Sequence, residues 1–262
     1  LSNWFNSDPK LTPVGYAREV LSIVKADKLP IDPIEIAQKQ GITIDEREFP
    51  DDQIEGFYMK HGNEGLIAIN SLIDYEPRKR FTCAHELGHA NIKGHSDIEH
   101  RCSKRDIFTF NSTNKKETEA NEFASELLIP THFFLEDVKR RKLSFNTLEE
   151  LADEKYSTSL TSMAIRFVKD SPERCAVVLT EDGIVKWAVK SKSFRLEVKT
   201  RLQVSPNTFA WDFFNEGKKL DGKVERVLSN AWLNTRNPNG LVFESSKSYE
   251  NYGSVLTLLL FE

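Results

Sequence analysis

"FTCAHELGHANIKGH", residues 81–95, sets three histidines and one glutamate within eleven positions. On a helix, residues four apart share a face, so His85 and His89 project side by side, one turn apart. Two imidazoles so placed suit a single tetrahedral zinc ion. Glu86, one position on, can reach a water at that ion without ligating it. An H-E-x-x-H string arises by chance in roughly one chain of this length in a hundred. The string therefore needs support from elsewhere, and a catalytic zinc site asks for a third protein ligand.

Two residues compete for that place. His95 stands six positions after His89, the spacing of the metzincin pattern H-E-x-x-H-x-x-G-x-x-H. That pattern breaks its helix with a glycine three residues after the second histidine, where this chain has Ile92. A β-branched residue there suits a helix that continues, to about Lys93, with Gly94 ending it. His95 then falls in the loop beyond. The other candidate lies in "KKETEANEFASELLIP", residues 115–130. At about 100° per residue, Ala120, Asn121, Ala124, Leu127 and Leu128 fall within about 80° of Glu117. Glu117 thus points with the apolar stripe, where an unpaired charge is costly and a cation would offset it. Asn121, one turn on, is placed to hydrogen-bond the outer nitrogen of a ligating histidine. Glu119, Glu122 and Glu126 fall on the other side, as a solvated face. Glu117 is favoured over His95.

Together, "RFTCAHELGH" and "ETEANEFASELLIP" resemble the ImmA/IrrE family of metallopeptidases over about residues 10–170. The resemblance implies metal ligands at His85, His89 and Glu117 and a catalytic glutamate at Glu86. It implies Zn2+ as cofactor, with Mn2+ or Co2+ able to replace it in vitro. It also implies a zincin-like fold, a cytoplasmic location, and a helix-turn-helix repressor as the protein cleaved. The competing function is a non-catalytic, metal-stabilised regulator that binds DNA or a protein partner. Glu86 separates the two, because a structural metal site has no need of it. Tyr58, His95 and His132 are unranked candidates for stabilising the oxyanion.

Composition fits a soluble globular protein. The 262 residues are 39% hydrophobic and 29% charged, enough apolar content for a real core. The net charge of −4 gives no global pull toward nucleic acid or acidic lipid. No apolar run approaches the ~20 residues of a membrane span, so no membrane association is expected. The start, "LSNWFNSDPK", lacks the basic and apolar regions of a secretory leader. Three scattered cysteines argue against a disulfide framework and fit a reducing compartment.

The fold class expected is α+β. Residues 1–142 form a zincin-like domain, 143–170 a helical helix-turn-helix-like segment, and 171–262 a C-terminal α+β domain. Three strands, "ITIDERE", "IEGFYMK" and "LIAIN", precede the motif helix, the last two as a hairpin around "HGNEG". That hairpin is a candidate edge for a peptide substrate. Helices are expected at about 76–93, 115–128, 131–141, 146–155 and 158–169, with residues 95–114 irregular. The middle segment has helix-turn-helix cadence, yet its second helix offers only Arg166 and Lys169 to phosphate, which argues against direct DNA binding. Beyond Arg174 the chain turns β-rich, with a helix expected near 222–233 and the aromatics of "WDFF" and "NAWL" packed in a core.

Overall fold

Polar caps start the first helices. Thr12 accepts a hydrogen bond from Gly15 N at 3.1 Å, and α1 (Pro13–Ile23) follows. Asp32 does the same for α2 (Pro33–Lys39), accepting from Ile34 N and Glu35 N. The computed structural model describes residues 11–51, 53–95, 100–103 (backbone), 114–237 and 239–261. By its contacts the chain divides into two units, one made of Leu1–Phe134 with Ala152–Ser159 and the other of Leu135–Leu151 with Leu160–Glu262. The stretch 143–170 is shared between them. Among the described residues no helix is long and apolar enough to cross a membrane.

In the first unit, β1 (Ile42–Arg47), β2 (Ile54–His61), β3 (Glu64–Asn70) and β4 (His100–Ser103) form one sheet in the order β1-β3-β2-β4. β1 runs parallel to β3, and the other pairings are antiparallel. The hairpin is thus present, with His61 opposite Glu64 across a two-residue turn. It does not supply an edge. β1 flanks β3 and β4 flanks β2, so the outer strands are β1 and β4. The strand β4 also falls inside a stretch expected to be irregular; the rest of 96–113 lies outside the described residues.

α3 (Glu76–Asn91) lies against β2 and β3, and α4 (Lys115–Leu128), capped by Asn114, packs beside α3. Gly88 decides how close these two helices come. A Cβ there would stand 3.1 Å from the Cα of Ala120 and 3.3 Å from its carbonyl oxygen. A helix-interior glycine costs about 1 kcal/mol relative to alanine, and close approach is what offsets it. α1 covers the other side of α4. That second neighbour overturns the solvated-face reading. Glu126 is only 1% exposed, accepting from Arg18 Nε at 2.9 Å and from Thr131 Oγ1 at 2.6 Å. Glu122 alone of the three faces solvent freely.

α5 (Thr131–Arg140) and α6 (Phe145–Glu149) follow, the latter running on as a π-helical turn over Glu150–Tyr156 where one regular helix was expected. α7 (Leu160–Asp170) pairs Arg166 with Asp170 at 3.0 Å, and the Arg166 side chain is largely buried. In the second unit α7 lies on β5 (Cys175–Glu181) and β6 (Ile184–Lys190). A pair of short strands follows, β7 (Glu197–Val198) with β9 (Leu233–Asn234). The main sheet is antiparallel, in the order β6-β5-β11-β10-β8. It is completed by β8 (Asp221–Leu228), β10 (Leu241–Tyr249) and β11 (Ser254–Leu260). The helix expected near 222–233 is therefore mostly strand. Only α9 (Ser229–Trp232) is helical there, because pairing of β8 with β10 overrides a local helical pattern. "WDFF" lies in α8 (Phe209–Glu216), and Trp232 of "NAWL" is fully buried in the core with Val178, Phe194 and Leu259. Cys83 and Cys175 are buried free thiols.

Candidate metal centre

Three side-chain atoms converge where α3 meets α4. Nε2 of His85 stands 3.1 Å from Nε2 of His89 and 3.0 Å from Oε2 of Glu117. His89 Nε2 is 3.5 Å from the same oxygen. All three residues are buried, and together they form a group able to hold one metal ion. Helical periodicity puts Glu117 on this face, and Gly88 brings the two faces within reach.

The charges of these three groups are set by burial and by one another. Burial works against a negative charge on Glu117, but hydrogen bonds from His85 and His89 outweigh it and hold the carboxyl far below its usual range. Burial likewise works against a charged His85, and Glu117 together with the nearby charge of Glu86 overcomes it, raising the imidazole. His89 goes the other way, lowered to about 4, chiefly by burial. One anionic oxygen and one neutral imidazole thus already face a second imidazole that seeks positive charge. Two neutral imidazoles and a carboxylate are a donor set that zinc accepts.

The outer side of His85 is also fixed. Its Nδ1 lies 2.9 Å from Oδ1 of Asn121 and donates to it, so in the neutral ring Nε2 is the lone-pair nitrogen. Glu86 is fully buried on the same turn of α3. Strand β2 closes over it: a Cβ at Gly56 would stand 3.4 Å from Glu86 Oε1. Glu86 is no member of the three-residue group, which fits a carboxylate beside the ion and not on it.

His95 is the surprise of the site. The helix does break at residue 92: Ile92 is extended at ψ 126°, and Gly94 at φ +84° turns the chain back. The helix thus ends at Asn91, short of the expected Lys93, and Ile92 is buried. His95 consequently returns to the site, 1% exposed, with Nδ1 3.3 Å from Nδ1 of His89. It meets the back of His89 and is outside the converging group. Glu119, assigned to the solvated face, meets it from α4 at 2.9 Å. Sequence spacing alone held no signal for that pairing. Tyr58 is buried on β2 with its hydroxyl enclosed, whereas His132 is exposed and lies against Phe133.

Residues 37–167, half of the chain, match the Peptidase_M78 family, described as the IrrE N-terminal-like domain. A curated relative, "Uncharacterized immunity region protein 2" of Bacillus phage phi105, is 36% identical over 95 residues. The match covers 33% of this chain and 57% of that protein, so the chain spans little more than half the relative's length. A solved structure of a Mycobacterium tuberculosis transcriptional regulator shares the fold at a TM-score of 0.57 and 12% identity. That similarity covers 95% of this chain and 75% of the regulator.

Proposed function

The chain belongs to the Peptidase_M78 family, and from that premise we propose that it is a zinc-dependent endopeptidase. His85, His89 and Glu117 would hold the ion and Glu86 would move the proton. The observation that carries the reading is the buried convergence of two imidazoles and a carboxylate with Glu86 on the adjoining helical position. A zinc ion supplies Lewis acidity, polarising a carbonyl and acidifying water. Glu86 takes a proton from the attacking water on a carboxylate oxygen, then delivers it to the departing amine nitrogen. Burial of Glu86 with His85, His89 and Glu117 strengthens each charge among them. Asn121 keeps His85 in the tautomer that leaves Nε2 available.

The substrate proposed is a helix-turn-helix repressor, cleaved in the cytoplasm to release a stress-response or mobile-element regulon. The family resemblance supports this, as does the relative named for a phage immunity region. Arg166, tied to Asp170 on α7, gives little support to direct DNA contact. Purified protein incubated with the repressor encoded beside it should cleave that protein, and a chelator should stop the reaction. Glu86→Gln should retain stoichiometric zinc by elemental analysis while cleavage falls by about 10²- to 10⁴-fold. Full activity in Glu86→Gln would refute the assignment. Metal retention in wild type without any cleavage would favour the non-catalytic regulator.

A further inference from the structure

We infer that His95 and Glu119 form an outer chain that positions His89 for the metal, an inference resting on the metal-site reading above. The direction of its hydrogen bonds follows from the atoms. His89 presents Nε2 to His85 and Glu117, so as a neutral ligand through Nε2 it would carry its proton on Nδ1. Nδ1–H then donates to Nδ1 of His95 at 3.3 Å. His95 is left with its proton on Nε2, which donates to Oε2 of Glu119 at 2.9 Å. Glu119 is steadied in turn by Lys115 at 3.4 Å.

Every donor in this chain points outward from the metal, toward a carboxylate. An acceptor behind a ligating imidazole fixes its tautomer and ring orientation and raises its basicity toward the ion. The two ligands are therefore supported differently: a neutral amide backs His85, and an imidazole ending on a carboxylate backs His89. The fold is built to bring His95 here. The extended Ile92, the left-handed Gly94 and a bond from His95 N to Ile92 O at 3.2 Å turn the residue back onto His89. His95 is a positioning residue, acting on the ion only through His89.

The test is zinc affinity of the full chain, measured by competition with a chromogenic chelator, with the visible spectrum of the cobalt-loaded protein as a second readout. His95→Leu should bind about 10- to 100-fold more weakly and shift the cobalt bands. His95→Gln, whose side-chain oxygen can accept from Nδ1–H, should recover most of that loss. Glu119→Gln, at a partly exposed position that tolerates change, should fall between wild type and His95→Leu. A residue that merely filled space would give the reverse order, with leucine better than glutamine. Wild-type affinity in His95→Leu and Glu119→Gln, or leucine outperforming glutamine, overturns the inference alone. Failure of the wild-type protein to bind zinc or cobalt overturns the metal-site reading beneath it.

Discussion

Both units bury glutamate side chains, and one from each, Glu117 and Glu244, behave oppositely. Glu117 of the first unit faces imidazole nitrogens and is held far below the usual carboxylate range by them, against the opposing effect of burial. Glu244 on β10 is fully enclosed, and burial raises it to about 7 despite several donors. Those donors are Trp232 Nε1 at 2.7 Å, Phe209 N at 2.9 Å and Ser246 Oγ at 2.9 Å. The neighbours of Glu117 are imidazole nitrogens, which donate to it when protonated and can instead turn their lone pairs toward a cation. The neighbours of Glu244 are donors, already complete. A buried carboxylate suits a metal centre when the groups around it can themselves become ligands; among obligate donors it is an anchor, here for α8 and Trp232.

Zinc removal should expose this difference most strongly. With free zinc at about a thousandfold its dissociation constant, binding stabilises the folded protein by about 4 kcal/mol. Denaturant unfolding with and without chelator should show a loss of that order in wild type and none in Glu117→Ala. A chelator response that survives Glu117→Ala would erase the distinction drawn between the two glutamates.

Glu244 should respond to pH and not to metal. Its carboxyl is raised from 4.5 to about 7, so the folded protein keeps a proton that the unfolded chain has released. Its contribution is complete below pH 4.5 and is lost as pH rises through 7, by about 3 kcal/mol in all. Glu244→Gln should remove that decline from a plot of unfolding free energy against pH and leave the chelator response unchanged. An undiminished slope in the variant would assign the pH dependence elsewhere.

Smallest is the effect of one donor. Ser246→Ala deletes a single hydrogen bond to Glu244 and should cost about 1 kcal/mol near neutral pH. It should also raise the Glu244 carboxyl further, because the lost bond favoured the charged form. A downward shift by NMR titration would contradict the account of Glu244 as a donor-satisfied anchor.

Much of the metal centre was legible in residue order because its members lie on two helices, where spacing dictates facing. His85 and His89 follow from a four-residue interval, Glu117 and Asn121 from the stripe of α4. The strands before the motif were legible from alternation and turn residues. Three features were not. Glu126 and Glu119 were assigned to solvent because periodicity divides a helix into two faces and cannot count its neighbours; α1 and His95 cover what looked like an outer face. The helix expected near 222–233 became β8 because hydrogen bonds to β10 lie far along the chain. His95 lies in the loop after α3 as expected, but its burial between His89 and Glu119 was not legible, because it depends on the turn at Gly94 and on a residue of another helix.

Residue order by itself determined the class of fold, the family, and which side chains could share a helical face with a metal, since those rest on local geometry and composition. Tertiary structure alone decided that α3 and α4 approach closely enough at Gly88 for those faces to meet, and which groups stand behind each ligand. Helix contact distance and long-range partners are sums over many distant residues, and no short stretch of chain carries them.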